Sequence, residues 1–293
     1  MRCVPLLREI RESLRPLVRY PSVSVVVPVR SEQRPGRVNP LRIDGLPECW
    51  LGKNRALYLG AEAAGGEWLL FTDADVRLSA GCVEDAIRCA AREDLDLLTL
   101  TPELISRGVA LKSFVATLVL VFEITQRPWR VTDPRARESV GVESFNLLKR
   151  EAYLRAGTHG AIRLRPNDDM RLARLLKETG FSQGVAYGTG SVTSSGTKHS
   201  PAPSRGSTRA YSQARTTGSR RSPRAPRHNQ VALRDRRAGR GRHVRVRAEV
   251  FWGQSLPLYT ALHLFGTAGL IYAMLRSAYA ALANGGIEWR GTT

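Results

Sequence analysis

Two aspartates separated by one residue, Asp73 and Asp75, directly follow an apolar run in this chain. The run, Trp68 to Phe71, is typical of a buried strand in a parallel sheet, and ligands of such sheets collect at the carboxyl ends of the strands. Mg²⁺ is usually held by one or two carboxylates, with water and substrate phosphates as its other ligands. The pair therefore suits a divalent cation that holds a diphosphate. The alternative is a loop in which both aspartates cap a helix or are solvated.

A second acid pair, Asp168 and Asp169, stands where a helix over 170–179 is predicted to begin. Acids in the first turn of a helix are favoured by capping and by the macrodipole, which explains the pair without any function. A carboxylate beside a metal-diphosphate site could instead take a proton from an attacking hydroxyl within hydrogen-bond reach. Both interpretations stay open from the residues alone.

Lys53 follows Gly52 at the start of a helix-forming run that stops at Gly65 and Gly66. A lysine beside the free amide groups of a helix N-terminus can hold phosphate. The alternative is an exposed lysine with no ligand.

The elements that would position these side chains alternate between strands and helices. Strands are predicted over 22–29, 68–71, 95–100 and 144–148, with a short one at 41–43, and helices over 53–64, 79–92, 150–156 and 170–179. The β-α-β-α-β order predicts an α/β fold with a mostly parallel sheet flanked by helices. Because no GxGxxG follows the first strand, a dinucleotide fold is disfavoured.

The charge of the chain is concentrated in one stretch. Of a net charge of +19 over 293 residues, +14 lies within 191–248, where Arg, Ser, Pro and Gly predominate. Such a composition predicts disorder. The tract could hold nucleic acid or acidic lipid through counterion release, although its one aromatic residue, Tyr211, does not support base stacking, and no specific nucleic acid is expected. The four cysteines lack metal-ligand spacing, which disfavours zinc.

Three further segments concern membranes. Residues 1–20 predict an amphipathic surface helix, and residues 109–125 predict either a buried or an interfacial helix. Residues 251–275 carry no charge and are long enough for one membrane helix. The predicted parts are thus an N-terminal segment (1–20), a catalytic domain (21–189), a disordered basic tract (190–248) and a membrane helix with its tail (249–293). We expect a location at the cell membrane with the catalytic domain in the cytoplasm.

The segments SVSVVVPVRSE, WLGKNRAL, GEWLLFTDADV, FNLLKREAYLRAG, THGAIR and NDDMRLARLLKETGF occur in that order between residues 22 and 187. As an ordered set they resemble the family 2 glycosyltransferases with the GT-A fold. The resemblance extends to the membrane-associated branch with ceramide glucosyltransferase-like and hopanoid- or carotenoid-associated enzymes. It implies a GT-A-like sheet and a nucleotide-sugar donor.

The resemblance also assigns the donor site. Asp73 and Asp75 match the metal-binding DxD motif for Mg or Mn, with Asp75 as the direct ligand. Lys53 falls in the segment near the nucleotide, while Pro28 and Arg30 lie on the loop that frames it.

For the acceptor, the resemblance implies that Asp169 activates the hydroxyl, with Asp168 as the near alternative. The implied reaction is inverting transfer of the sugar to a lipid-like hydroxyl. Two other functions stay open: a metal-dependent nucleotidyltransferase, which would use the same metal and phosphate groups, and a non-enzymatic protein that binds anionic surfaces.

Two features depart from the family pattern. Residues 30–46 are too short for the helix and second strand that normally precede the Lys53 segment, and Asp44 is a poor substitute for the nucleobase-binding aspartates. The (Q/R)xxRW motif is absent where the basic tract begins. We therefore hypothesise a shifted reading frame across about 190–248 and a deletion near 34–42, which would impair activity.

Overall fold

The computed structural model describes residues 4–11, 13–30, 39–104, 108–194, 208–213 and 256–283. Its helices are α1 (Leu7–Arg11), α2 (Gly52–Glu62), α3 (Cys82–Arg92), α4 (Val109–Gln126), α5 (Arg150–Arg155), α6 (Asp168–Glu178) and α7 (Leu256–Ala283). Its strands are β1 (Val23–Arg30), β2 (Asn39–Arg42), β3 (Trp68–Phe71), β4 (Val76–Leu78), β5 (Leu97–Thr101), β6 (Glu103–Leu104), β7 (Asn146–Lys149), β8 (Gln183–Tyr187), β9 (Val192–Ser194) and β10 (Thr208–Gln213).

The central sheet has the strand order β2-β10-β1-β3-β7-β5-β8. β1 pairs in parallel with β3, and β5 with β8. β7 lies antiparallel between β3 and β5, and β10 lies antiparallel between β1 and β2. The α/β fold with a central sheet flanked by helices is confirmed. The sheet was expected to be mostly parallel. Five of its described strands run in one direction and β7 and β10 run in the other, which was not predicted because a short apolar run carries no sign of its direction.

The sheet is buried on both faces, which explains why β3 is a continuous apolar run. Trp68 and Leu70 pack with the buried side of α3, whereas Leu69 and Phe71 pack with α2, α5 and α6. Successive side chains of a strand point to opposite faces, so four apolar residues in a row serve two separate cores. A strand held from both sides is a rigid base for the aspartates that follow it.

The N-terminal segment packs on the domain. α1 has five residues, Leu7 is fully buried, and Leu6 forms a parallel bridge to Tyr187 at the sheet edge. Arg11 Nε lies 3.0 Å from a carboxylate oxygen of Asp85 on α3. The prediction of an amphipathic surface helix over 1–20 is therefore corrected: the described helix covers only Leu7–Arg11. The leucines of this segment are buried against α3 and do not face the surface.

Two strands lie within the tract predicted to be disordered. β9 pairs with β4 and β6 in a small second sheet, and β10 enters the central sheet beside β1. The prediction is wrong for these strands, because backbone pairing to an existing sheet does not require an apolar core of their own. Residues 195–207 and 214–248 lie outside the described residues.

Helices α4 and α7 pack against each other through small residues. A methyl group built on Gly266 of α7 would lie 2.3 Å from Thr117 Oγ1 and 2.7 Å from the carbonyl oxygen of Ser113 on α4. Small residues at such a crossing let two helix backbones approach closely. Among the described residues, no helix has the length and the apolar character that a bilayer crossing needs. The spanning helix predicted over 251–275 is corrected accordingly, since small and polar residues interrupt α7.

Candidate active site

A small cavity beside the carboxyl end of β3 brings together most of the residues that the sequence analysis singled out. Its lining includes Pro28, Lys53, Asp73, Asp168 and Asp169. Asp75 follows in the next turn, is partly exposed and does not line the cavity. Arg30 is the last residue of β1, and its side chain lies outside the described residues. β1 ends at Arg30, one residue beyond its predicted end at Val29, so Pro28 and Arg30 both lie within the strand and their predicted place on the following loop is wrong.

The loop after β3 is fixed by hydrogen bonds to the segment that precedes β7. Thr72 Oγ1 donates to the carbonyl oxygen of Ser144 at 2.7 Å, and the amide of Asp73 donates to the carbonyl oxygen of Glu143 at 3.1 Å. β3 ends at Phe71, where these two bonds replace strand pairing, and they hold Asp73 at the cavity. They also bring the Glu143 side chain to the same place.

The Lys53 ammonium group lies within ion-pair distance of three acids of the cavity. Its Nζ lies 2.7 Å from Glu143 Oε1, 3.4 Å from Asp168 Oδ1 and 3.5 Å from Asp73 Oδ1. Burial by itself would lower the pKa of Lys53, but attraction by Asp168, Asp73 and Glu143 outweighs it and raises the pKa above its ordinary value. The lysine is therefore charged at every physiological pH. The alternative of an exposed lysine is wrong, since its side chain is only 22% exposed.

The two acids that open α6 differ in their surroundings. Asp168 is 3% exposed, and its Oδ1 accepts no hydrogen bond from the described residues beyond the ion pair with Lys53. Burial raises the pKa of Asp168 although Lys53 opposes the shift. Burial and then repulsion from Asp168 raise the pKa of Asp169 to about 7. A carboxyl group that titrates near neutral pH is suited to act as a general base.

The lining of this cavity carries four carboxylates and one ammonium group, in a chain whose overall charge is +19. No group of three or more His, Cys, Asp or Glu side chains within the described ranges forms a ready-made metal site. A cation bound mainly by phosphate and water needs only one or two carboxylates. The donor set fits such a cation: Asp75 forms no ion pair or side-chain hydrogen bond with a described residue, and Asp73 lies two residues away at the cavity.

Two contributors were missed by sequence reasoning. Glu143 lies in a segment without periodicity, so no pattern could place it beside Lys53. His159 is fully buried and also lines the cavity. Its backbone amide donates to Tyr153 Oη at 3.1 Å, and the same hydroxyl group forms a hydrogen bond with His159 Nδ1 at 2.9 Å. Burial and then the charge of Lys53 lower the pKa of His159 to about 3, so the ring is neutral at physiological pH.

Gly141 is required for the position of α6. A methyl group at residue 141 would lie 2.1 Å from the carbonyl oxygen of Asp169 and 3.2 Å from Ala173 Cβ. We expect Gly141→Ala to lower the free energy of unfolding by about 1–3 kcal/mol, the usual cost of overpacking, in urea denaturation. Gly65→Ala is the matched control, since nothing lies within 4 Å of its added methyl group. Equal midpoints for the two variants would contradict the close contact.

Comparison with known proteins gives two similarities. Residues 38–153 match the sequence model of glycosyl transferase family 2, a range that contains Lys53, Asp73, Asp75 and Glu143. A structure of a mannosyltransferase from Pyrobaculum calidifontis in complex with GDP-Man and Mn²⁺ is 18% identical, with a TM-score of 0.33, over 46% of this chain and 36% of that chain. The similarity thus spans about a third of the mannosyltransferase. No curated protein sequence matches this chain.

The family match includes the DxD segment and the Lys53 helix, whereas Asp168 and Asp169 follow the matched range. Over residues 38–153, which are less than half of the chain, the sequence is therefore similar to glycosyl transferase family 2.

Proposed function

We propose that the chain transfers a sugar from a nucleotide-sugar to the hydroxyl group of a lipid-like acceptor, with inversion at the anomeric carbon. One observation carries this proposal: Asp169, whose pKa is raised to about 7, lines the same cavity as Lys53 and Asp73. A base that is about half ionised at neutral pH and a cation suited to phosphate are the two groups that this reaction needs on opposite sides of the sugar.

In the proposed reaction, Asp169 accepts the proton of the acceptor hydroxyl. The acceptor oxygen then attacks the anomeric carbon as the bond to the diphosphate breaks on the opposite face. The Lys53 ammonium donates hydrogen bonds to diphosphate oxygens and so offsets the charge of the leaving group. Asp168 stays paired with Lys53 at 3.4 Å, which leaves Asp169 as the acid free to exchange a proton.

A Mg or Mn ion, when bound, would supply further compensation for the charge that collects on the departing diphosphate. Asp75 would hold it, with Asp73 as the second carboxylate. Both side chains follow β3, and Asp75 has no ion partner among the described residues that would have to be displaced.

We also propose a lipid-like acceptor and attachment to the cell membrane, with the catalytic domain on the cytoplasmic side. The helix pair α4 and α7 supports the acceptor and the attachment. Both helices expose large apolar side chains, which soluble surfaces seldom group together. On α4 these are Leu118, Leu120, Val121 and Ile124, and on α7 they are Leu264, Phe265, Ile271, Tyr272, Met274, Leu275, Tyr279 and Leu282.

The test is nucleotide release by the purified full chain in detergent. A panel of UDP- and GDP-sugars is supplied with Mg²⁺ or Mn²⁺, with and without lipid alcohols. We expect release that depends on acceptor and cation, and a loss of at least about tenfold in Asp75→Asn, or about 1.4 kcal/mol in barrier height. Asp94→Asn, which changes a carboxylate that is 99% exposed, is the control.

Two results would contradict the proposal. Absence of release with every donor would exclude sugar transfer by this chain. Full activity of Asp75→Asn in the presence of a chelator would exclude the metal part alone.

A further inference from the structure

A second cavity, of about 610 Å³, lies beside α6 and is strongly basic. We call it the basic groove. It is lined by five arginines and a single acid, Glu138, and it contains no aromatic side chain. The arginines are Arg130, Arg135, Arg137, Arg171 and Arg174. Five guanidinium groups facing one space repel each other unless an anion joins them.

The described residues neutralise only part of this charge. Arg130 is paired with Glu138 at 2.9 Å, and Arg174 with Glu178 at 2.8 Å. Neither Arg135 nor Arg137 forms an ion pair with a described acid. Arg171 has in addition a buried Nε with no hydrogen-bond partner among the described residues. A buried donor left unpaired is costly, and it is expected where a ligand completes the site.

The groove adjoins the candidate active site through the start of α6. Asn167 and Met170, which line the groove, flank the two acids of the cavity. Thr125 and Gln126 at the end of α4 line its other side, so the exposed apolar face of α4 leads towards it. A molecule with an anionic group in the groove could therefore bring a nearby hydroxyl to Asp169 and lay an apolar chain along α4.

We propose that the basic groove binds a phosphate group carried by the acceptor, so that the acceptor is a phosphate-bearing lipid. This inference rests on the proposed function for the transfer step. Arginine forks match phosphate oxygens in paired hydrogen bonds. The donor diphosphate is assigned to the cavity at the end of β3, since Lys53 and Asp73 line that cavity and do not line the groove. Nucleic acid is disfavoured because the lining offers no ring on which a base could stack.

The experiment measures binding by calorimetry with the full chain and no donor, so it does not depend on turnover. The probes are dihexanoyl phosphatidic acid, inorganic phosphate and dihexanoyl phosphatidylcholine. The variant is Arg135→Gln/Arg137→Gln, which changes two exposed side chains. Arg77→Gln/Arg155→Gln removes the same charge from exposed positions outside both cavities and controls for the general basicity of the chain.

We expect the native chain to bind phosphatidic acid at least about tenfold more tightly than inorganic phosphate or phosphatidylcholine. The groove variant should bind phosphatidic acid about tenfold more weakly, and the control variant within about twofold of the native chain. Equal weakening in both variants, or no binding of phosphatidic acid, would overturn the proposal. Equal affinity for inorganic phosphate would identify a free-phosphate site and overturn the acceptor assignment. If the chain binds phosphatidic acid as expected but shows no transferase activity, the proposed function is contradicted. The assignment of the groove as a phosphate-binding site then still holds.

Discussion

Replacing Asp169 with asparagine is expected to reduce the rate of sugar transfer by about 10²–10⁴-fold, the usual contribution of a general base. Asparagine keeps the size of the side chain but cannot accept the acceptor proton. Donor binding should change little, because Lys53 contacts Asp168, Glu143 and Asp73 and does not form an ion pair with Asp169. The measurement is single-turnover transfer, with nucleotide-sugar affinity determined separately.

The pH dependence follows from the same carboxyl group. Because the pKa of Asp169 is raised to about 7, kcat/KM should rise with pH and level off above about pH 7. Asp169→Asn should lose that rise. A native profile that is flat between pH 5 and 8 would assign the proton transfer to another group.

The same substitution should stabilise the fold at alkaline pH. Between 3.8 and about 7 the folded state keeps a proton on Asp169 that the unfolded chain has released, so the native chain loses stability as the pH rises through this range. Asparagine removes that loss. Because the group is coupled to Asp168 and Lys53, we expect a gain of about 1–2 kcal/mol at pH 8 and almost none at pH 4, measured by urea unfolding. Asp94→Asn, at an exposed site, should show no such pH dependence.

The parts of the site that sequence reasoning found all lie at the ends of strongly patterned elements. Trp68–Phe71 was predicted with the bounds that the structure shows, because a strand covered on both faces must be apolar throughout. The periodicity of α6 placed Asp168 and Asp169 at the start of a helix, although α6 begins at Asp168, two residues before its predicted start. α6 packs on the face of the sheet that contains β3, so the carboxyl end of β3 and the N-terminus of α6 lie at the same cavity.

The parts that sequence reasoning missed depend on contacts between distant segments. Glu143 reaches Lys53 because backbone hydrogen bonds tie its loop to Asp73, and such pairing leaves no trace in composition. The arginines of the groove come from α6 and from the segment between α4 and β7, which are separate in sequence and are brought together only by folding. β10 illustrates the same limit: a segment without an apolar pattern can form a strand by pairing with the edge of β1.

Replacing Lys53 with methionine is expected to lower the free energy of unfolding by about 3 kcal/mol at pH 8, because breaking a buried ion pair leaves an uncompensated charge. Methionine keeps the length of the side chain and removes the ammonium group. Asp168, whose side chain is 4% exposed, would bear most of this cost, whereas Glu143 at 41% can turn to solvent.

The loss should be smaller at pH 5, which distinguishes it from a packing defect. Without Lys53 the pKa values of Asp168 and Asp169 rise further, and the folded state then takes up protons that relieve the repulsion. The stability of Lys53→Met should therefore fall more steeply between pH 5 and 8 than that of the native chain. Lys112→Met, the same substitution at an exposed position of α4, is the control and should change little at either pH. An equal loss at both pH values would mean that the lysine acts through packing and that the acids of the cavity are not held together by its charge.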